Sequence, residues 1–101
     1  MKLNFSIVSL QHEFSHAKDF GISGNWNSQS GRLFQWALEE IVRGPTTAEY
    51  RIQFRGLADY RIFLDQRSGK AVICDCDGGF RAAWDLGAEQ VKGVVVNGRL
   101  W

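Results

Sequence analysis

The chain has 101 residues, of which 45% are hydrophobic and 13% aromatic, so we expect one folded domain over residues 1–101 and exclude a disordered segment. No apolar run approaches the roughly 20 residues that a membrane-spanning helix needs, and residues 5–10 are too short and too polar for the core of a secretory signal. The formal net charge of +1 gives no general signature of nucleic-acid binding, although residues 51–70 carry five basic and two acidic side chains.

The N-terminal part of the chain is predicted to be mainly helical. The elements expected there are a strand over 2–8, a short helix over roughly 8–19, a loop rich in Gly, Asn and Ser over 21–31, and an amphipathic helix over 31–43. Ser28 or Ser30 is the expected N-cap of the second helix, because a short hydroxyl side chain can accept a hydrogen bond from the first turn. Gly44-Pro45 ends this helix.

After Pro45 the polarity alternates with a period of two, which predicts an antiparallel meander. The expected strands cover 50–55, 60–65, 71–76, 80–86 and 93–96, with turns at 67–70 and 77–79 and a last hairpin at Asn97-Gly98. Phe80, Trp84 and Leu86 are expected to share one face of their strand. The predicted fold class is therefore α+β, with N-terminal helices packed on an antiparallel sheet of four to five strands.

The two cysteines, Cys74 and Cys76, lie two residues apart in a predicted strand. Neighbours at this spacing make poor disulfide partners, and two thiols are too few for a structural zinc site. We therefore expect reduced thiols that act as small core residues, and the sequence gives no reason to expect a cofactor.

Both histidines lie in the segment His12-Glu13-Phe14-Ser15-His16, which matches the zinc-peptidase pattern H-E-x-x-H. On an α-helix this spacing puts two imidazoles on one face and makes Glu13 the general base. A third protein ligand is required, but the chain has no other histidine, and the downstream glutamates belong to an ordinary amphipathic helix. A zinc metallopeptidase remains as the lesser alternative.

A longer segment indicates a different chemistry. Residues 14–25, Phe-Ser-His-Ala-Lys-Asp-Phe-Gly-Ile-Ser-Gly-Asn, followed by Phe34 and by residues 37–40, Ala-Leu-Glu-Glu, resemble the C-terminal nuclease domains of the colicin D type, which are bacterial toxins. Residues 77–80, Asp-Gly-Gly-Phe, followed by Trp84, resemble the hairpin and tryptophan strand of that family. The resemblance covers roughly residues 13–86.

This resemblance implies a small ribonuclease fold of the barnase and RelE-like group, and metal-independent cleavage of tRNA in the anticodon loop. It makes His16 the catalytic histidine. An imidazole can take the proton of the RNA 2′-hydroxyl or protonate the 5′-oxygen leaving group, which predicts 2′,3′-cyclic phosphate and 5′-hydroxyl ends. The remaining candidates are Lys18 as a phosphate cation, Trp84 as a base platform or wall, and Arg55, Arg61, Arg81 and Trp26 as RNA contacts.

The sequence also departs from the family. Glu13 and Ser15 stand where the family has lysines, Ala82 where it has a serine, and Asp85 where it has a lysine. A non-catalytic binding module on the same fold is therefore a further alternative. Such toxins imply two partners, the tRNA substrate and an acidic immunity protein or antitoxin that covers a basic cleft, and the bacterial cytoplasm as the site of action.

Overall fold

The computed structural model describes residues 3–54, 57–98 and 100, and it has an α+β fold, as the sequence predicts. In chain order the elements are helix α1 (Ile7–Glu13), a 3-10 helix (Phe14–Phe20), helix α2 (Ser28–Arg43), strands β1 (Thr47–Phe54), β2 (Leu57–Asp65), β3 (Lys70–Asp75) and β4 (Phe80–Asp85), helix α3 (Ala88–Lys92) and a π-helical turn (Gly93–Asn97). The strands form one antiparallel sheet in the order β1-β2-β3-β4. Within the described residues, no helix has the length and apolar character to cross a membrane.

The N-terminal segment differs from its prediction. Within residues 3–8 only Asn4 makes a β-bridge, an isolated parallel one to Gly79 just before β4, so the predicted strand over 2–8 is wrong. Ser6 instead caps a helix, because its hydroxyl accepts a hydrogen bond from the Ser9 backbone N–H at 3.1 Å. The predicted single helix over 8–19 is divided, since α-helical geometry ends at Glu13 and 3-10 geometry continues from there.

Helix α2 begins three residues earlier than predicted. Its N-cap is Asn27, and neither Ser28 nor Ser30 fills that position. The Asn27 side chain accepts a hydrogen bond from the Ser30 N–H at 2.8 Å, and the Ser30 hydroxyl accepts one from the Asn27 N–H at 2.9 Å. This reciprocal capping box extends the helix into a segment that its composition alone would assign to a loop.

The sheet separates two apolar layers. On one face α2 buries Phe34 and Leu38 completely. The buried residues of this first layer are Leu3, Leu10, Ala17, Phe34, Leu38, Phe63, Val72, Cys74, Phe80 and Ala83. The buried residues of the second layer are Ile52, Ile62, Leu64, Ala71, Ile73, Ala82, Leu86, Val94 and Leu100. Hydrophobic burial on both faces of the sheet is therefore the main stabilising contribution to this fold.

The segment after β4 is helical, so the predicted strand over 93–96 and the hairpin at Asn97-Gly98 are both wrong. Val94 is 1% exposed and packs in the second layer, which anchors the π-helical turn against the sheet. Gly98 ends this turn with φ of +67°, a conformation that glycine adopts without strain. Three consecutive valines, residues 94–96, are typical of a β-strand. Here they continue the helical segment that begins with α3, and Val94 is the one that is buried.

A β-bulge between β3 and β4 changes which residues share a face. Ile73 pairs with Ala82, whereas the next residue, Cys74, pairs with Phe80. One extra residue on β4, Arg81, reverses the side-chain alternation at this point. Phe80 therefore packs in the layer under α2, while Trp84 packs against the opposite layer, so the predicted common face of these two residues is wrong.

Candidate active site

The outer edge of β4 is paired with the N-terminal segment of the chain. Three of its outward backbone N–H groups donate hydrogen bonds to this segment: Phe80 to the Asn4 carbonyl at 2.9 Å, Ala83 to Glu13 Oε1 at 3.2 Å, and Asp85 to Asp19 Oδ2 at 3.3 Å. Two carboxylates thus take the place that carbonyl groups of a fifth strand would occupy. This arrangement fixes the 3-10 helix, and with it His16, against β4.

Glu13 has a structural role in this arrangement. It is 6% exposed, and one carboxylate oxygen is bonded to the backbone of β4 while the other lies 4.0 Å from His12 Nε2. The zinc-peptidase alternative requires His12 and His16 on one face of a continuous α-helix, but the helix changes to three residues per turn after Glu13, so positions four apart no longer align. No group of three or more His, Cys, Asp or Glu side chains in the described part of the chain is arranged to hold a metal ion.

His16 lies partly open to solvent beside strand β4. Its side chain is 43% exposed, and its Nδ1 is 3.9 Å from Asp19 Oδ2. The imidazole lies 6.0 Å from the indole of Trp84, measured between ring centroids, at an interplanar angle of 38°. Since Nδ1 is turned to Asp19, Nε2 is the nitrogen on the far side of the ring. The site therefore offers an exposed imidazole beside an aromatic wall.

Trp84 is held from its other end by helix α3. Its indole N–H donates a hydrogen bond to Gln90 Oε1 at 3.2 Å, and its ring packs half-buried against the second apolar layer. A buried indole N–H needs such a partner, and this one fixes the orientation of the ring. Trp84 thus forms a fixed side of the site, which fits the predicted wall better than a freely exposed platform for a base.

The predicted cations are distributed unevenly. Lys18 is exposed and lies on the same 3-10 helix as His16. Arg61 is bonded to Glu49 Oε2 at 2.5 Å, and Arg81 pairs with Asp75 Oδ2 at 3.3 Å. Arg55 lies outside the described residues.

The strand register separates the two arginines from His16. Arg61 lies opposite Cys74 at one end of the sheet, whereas Trp84 lies opposite Ala71 towards the other end. Arg81 is three residues before Trp84 on β4, which corresponds to roughly 10 Å of strand. The structure therefore groups His16 with Trp84 and, on the same short helix, Lys18, but it does not bring the two arginines to them.

Trp26 closes the core between the helices. Its ring meets Phe14 edge-on at 5.4 Å between centroids. A Cβ added to Gly31 would lie 2.8 Å from a ring carbon of Trp26, so α2 approaches this indole closely. Trp26 also lines a cavity of about 280 Å³ with Ile7 and Leu10. Its contacts are those of a core residue.

Two residues around the site were not assigned site roles from the sequence. Asp19 was not among the candidates, and in the structure it lies beside His16 and accepts a hydrogen bond from the β4 backbone. Gln90 holds Trp84 from helix α3, which lies between two predicted strands, in residues for which no element was predicted. The signal available for Asp19 was its spacing of three residues from His16, which becomes informative only once the segment is known to be a 3-10 helix.

Comparison with known proteins adds two findings. The family model described as Colicin D matches residues 9–94. Among solved structures, a ribonuclease from Escherichia coli in complex with its inhibitor protein has the same fold, with a TM-score of 0.76 and 23% sequence identity, over 87% of this chain and 97% of that chain. A search of curated proteins gave no match. The matched region contains the 3-10 helix, the sheet and every residue that contacts His16 in the site described above.

Proposed function

The chain belongs to the colicin D family, and on this premise we propose that it is an endoribonuclease toxin that cleaves tRNA in the anticodon loop without a metal ion. The observation that carries the proposal is the His16 imidazole, 43% exposed and 6.0 Å from Trp84, inside the region that the family matches. An exposed imidazole held beside an aromatic ring suits a single-stranded RNA loop, whose bases are unstacked and can lie against aromatic side chains.

The proposed reaction uses the nucleophile that RNA itself supplies. Nε2 of neutral His16 takes the proton of the 2′-hydroxyl, and the 2′-oxygen forms a bond to phosphorus. The bond between phosphorus and the 5′-oxygen breaks, and that oxygen takes a proton from the imidazolium or from water. The products are a 2′,3′-cyclic phosphate and a 5′-hydroxyl end. Lys18 stabilises the additional negative charge of the pentavalent intermediate.

The decisive experiment is incubation of the purified protein with total tRNA in excess EDTA. Wild type should cut at one position of a tRNA anticodon loop, and His16→Ala should lose the activity. His12→Ala is the matched control, because His12 is the other histidine, is 79% exposed and contacts Glu13 instead of Trp84, so this variant should cut like wild type. The 5′ fragment should end in a 2′,3′-cyclic phosphate, and the 3′ fragment should begin with a 5′-hydroxyl. Failure of the wild type to cut any RNA, or equal activity of His16→Ala, would refute the proposal.

One observation favours a second candidate, a binding module without catalysis. Arg61 and Arg81, two of the cations that would hold RNA, are each bonded to a carboxylate and lie away from His16. Such pairing lowers the positive charge available to a phosphate backbone. Stoichiometric binding of tRNA by the wild type with no cleavage over long incubation would support this candidate.

A neutralising partner follows from the same proposal. The Escherichia coli ribonuclease with this fold was solved in complex with its inhibitor protein. We propose that this chain likewise binds an acidic immunity protein or antitoxin, which covers His16 and Lys18, and that the chain acts in the bacterial cytoplasm. Expression of the wild type in bacterial cytoplasm should then arrest growth, expression of His16→Ala should not, and co-expression of the partner should restore growth.

A further inference from the structure

We infer that Asp19 is a positioning residue that fixes the tautomer of His16, with the proton of the neutral imidazole on Nδ1 and the lone pair on Nε2. The inference rests on the proposed function, because it assigns Nε2 as the base that faces RNA. It starts from one carboxylate oxygen, Asp19 Oδ2, which lies 3.9 Å from His16 Nδ1 and 3.3 Å from the backbone nitrogen of Asp85.

The unusual helix type explains why these two side chains meet. Residues 14–20 form a 3-10 helix of seven residues, which is long for this conformation. At three residues per turn, side chains at i and i+3 lie directly above one another. His16 and Asp19 have this spacing, so the 3-10 geometry stacks the carboxylate on the imidazole, whereas an α-helix would offset them by about 60°.

The carboxylate is itself fixed in place. The Asp85 N–H belongs to the edge of β4, and a charge-assisted hydrogen bond from it holds Oδ2. Trp84, the neighbour of Asp85 on the same strand, limits the imidazole on another side. Strand β4 thus positions both neighbours of the imidazole, the Trp84 ring and the Asp19 carboxylate.

A carboxylate in this position selects one tautomer. An ionised carboxylate can only accept hydrogen bonds, so the nitrogen that faces it must carry the proton. The separation of 3.9 Å is longer than a hydrogen bond, and a rotation of the exposed ring that shortens it by about 1 Å would form one. Hydrogen bonds of catalytic groups commonly tighten in this way when substrate binds.

The test is nitrogen NMR of the imidazole rings in the free protein, recorded at a pH where histidine is neutral. For wild type we expect a protonated Nδ1 and an unprotonated Nε2 at His16. Asp19→Asn removes the negative charge that favours a proton on Nδ1, so His16 should move towards the opposite tautomer. In the cleavage assay the same variant should lower kcat by at least about 10-fold, since partners that orient metal-bound histidines contribute about 10–100-fold, and leave KM unchanged.

Two internal controls separate this effect from simple loosening of the fold. Glu13→Gln alters the other carboxylate that bonds to the β4 edge, but that side chain faces His12, so the His16 tautomer should stay as in wild type. The ring of His12 should be unaffected by Asp19→Asn. If Glu13→Gln shifts the His16 tautomer as much as Asp19→Asn does, the effect is structural and the inference is wrong.

The outcome also distinguishes this inference from the proposed function. If the wild type cleaves tRNA but the His16 tautomer is the same in Asp19→Asn as in wild type, the inference is wrong and the proposed function is upheld. If the wild type cleaves no RNA, but the His16 tautomer changes in Asp19→Asn and not in Glu13→Gln, the proposed function is wrong and the coupling of Asp19 to the imidazole is upheld.

Discussion

Replacement of Glu13 by alanine should destabilise the protein strongly, although the residue is a glutamate in a helical segment. Its side chain is buried, and its Oε1 accepts the hydrogen bond from the Ala83 N–H. Alanine removes the acceptor and leaves a buried N–H without a partner, which costs roughly 1.5–3 kcal/mol for a bond to a charged group. The loss of one buried methylene, Cγ, adds about 0.8 kcal/mol. Relief of the buried charge offsets part of this sum, so we expect a net loss of about 1.5–3 kcal/mol.

The measurement is urea unfolding followed by tryptophan fluorescence. With a slope of about 1.5 kcal/mol per molar urea, the Glu13→Ala midpoint should fall by roughly 1–2 M. Glu13→Gln keeps an amide oxygen for the same N–H and should lose less than about 1.5 kcal/mol. Glu40→Ala is the control, since Glu40 makes a solvent-exposed pair with Arg43, and such pairs contribute little to stability. A Glu13→Ala variant as stable as Glu40→Ala would refute the argument that a carboxylate closes the β4 edge.

Gly31→Ala should be destabilising by about 1 kcal/mol in thermal unfolding, because the added methyl, 2.8 Å from an indole carbon, outweighs the better helix propensity of alanine. A thiol reagent should modify the exposed Cys76 in the native protein and Cys74 only after unfolding. Burial raises the pKa of the Cys74 thiol from 9.0 to about 11. The stability that the buried, protonated thiol contributes is therefore complete below pH 9.0 and is lost as the pH rises to about 11. A comparison of the alkaline unfolding curves of wild type and Cys74→Ala measures this loss. A hydrogen bond from the Thr46 hydroxyl is the largest cause of a lowered pKa at Asp65, so Thr46→Val should be less stable than wild type at neutral pH and should converge with it as pH falls below 3.8.

Local periodicity predicted most of the fold. The period-two pattern after Pro45 located the four strands of the described residues within a few positions, and a turn at Asp77-Gly78 was expected where the chain reverses between β3 and β4. What it missed depends on contacts between distant parts of the chain. The bulge at Arg81 and the inward position of Val94 are decided by packing against the sheet, and neither leaves a periodic trace in the sequence.

The site was predictable only in part for the same reason. The resemblance identified His16 and Trp84, which the structure brings together. The resemblance could not reveal the structural role of Glu13, which stands where the family has a cation. The partner of its carboxylate, the Ala83 N–H, lies 70 residues away along the chain. The arginines were grouped with His16 on charge alone, and the strand register with the nearby carboxylates Glu49 and Asp75 directs two of them elsewhere.

The pairing of β4 with residues 4–19 also bears on the solubility of the protein. An open strand edge is a template on which a second chain can add a strand, and aggregation often begins there. Here the edge is occupied by the segment that carries the candidate catalytic histidine. A variant that detaches this segment should therefore precipitate as well as lose activity, so screens for inactive variants need to record soluble yield. Substitutions that remove activity from a soluble protein are expected at His16, whose side chain makes no bond to the edge itself.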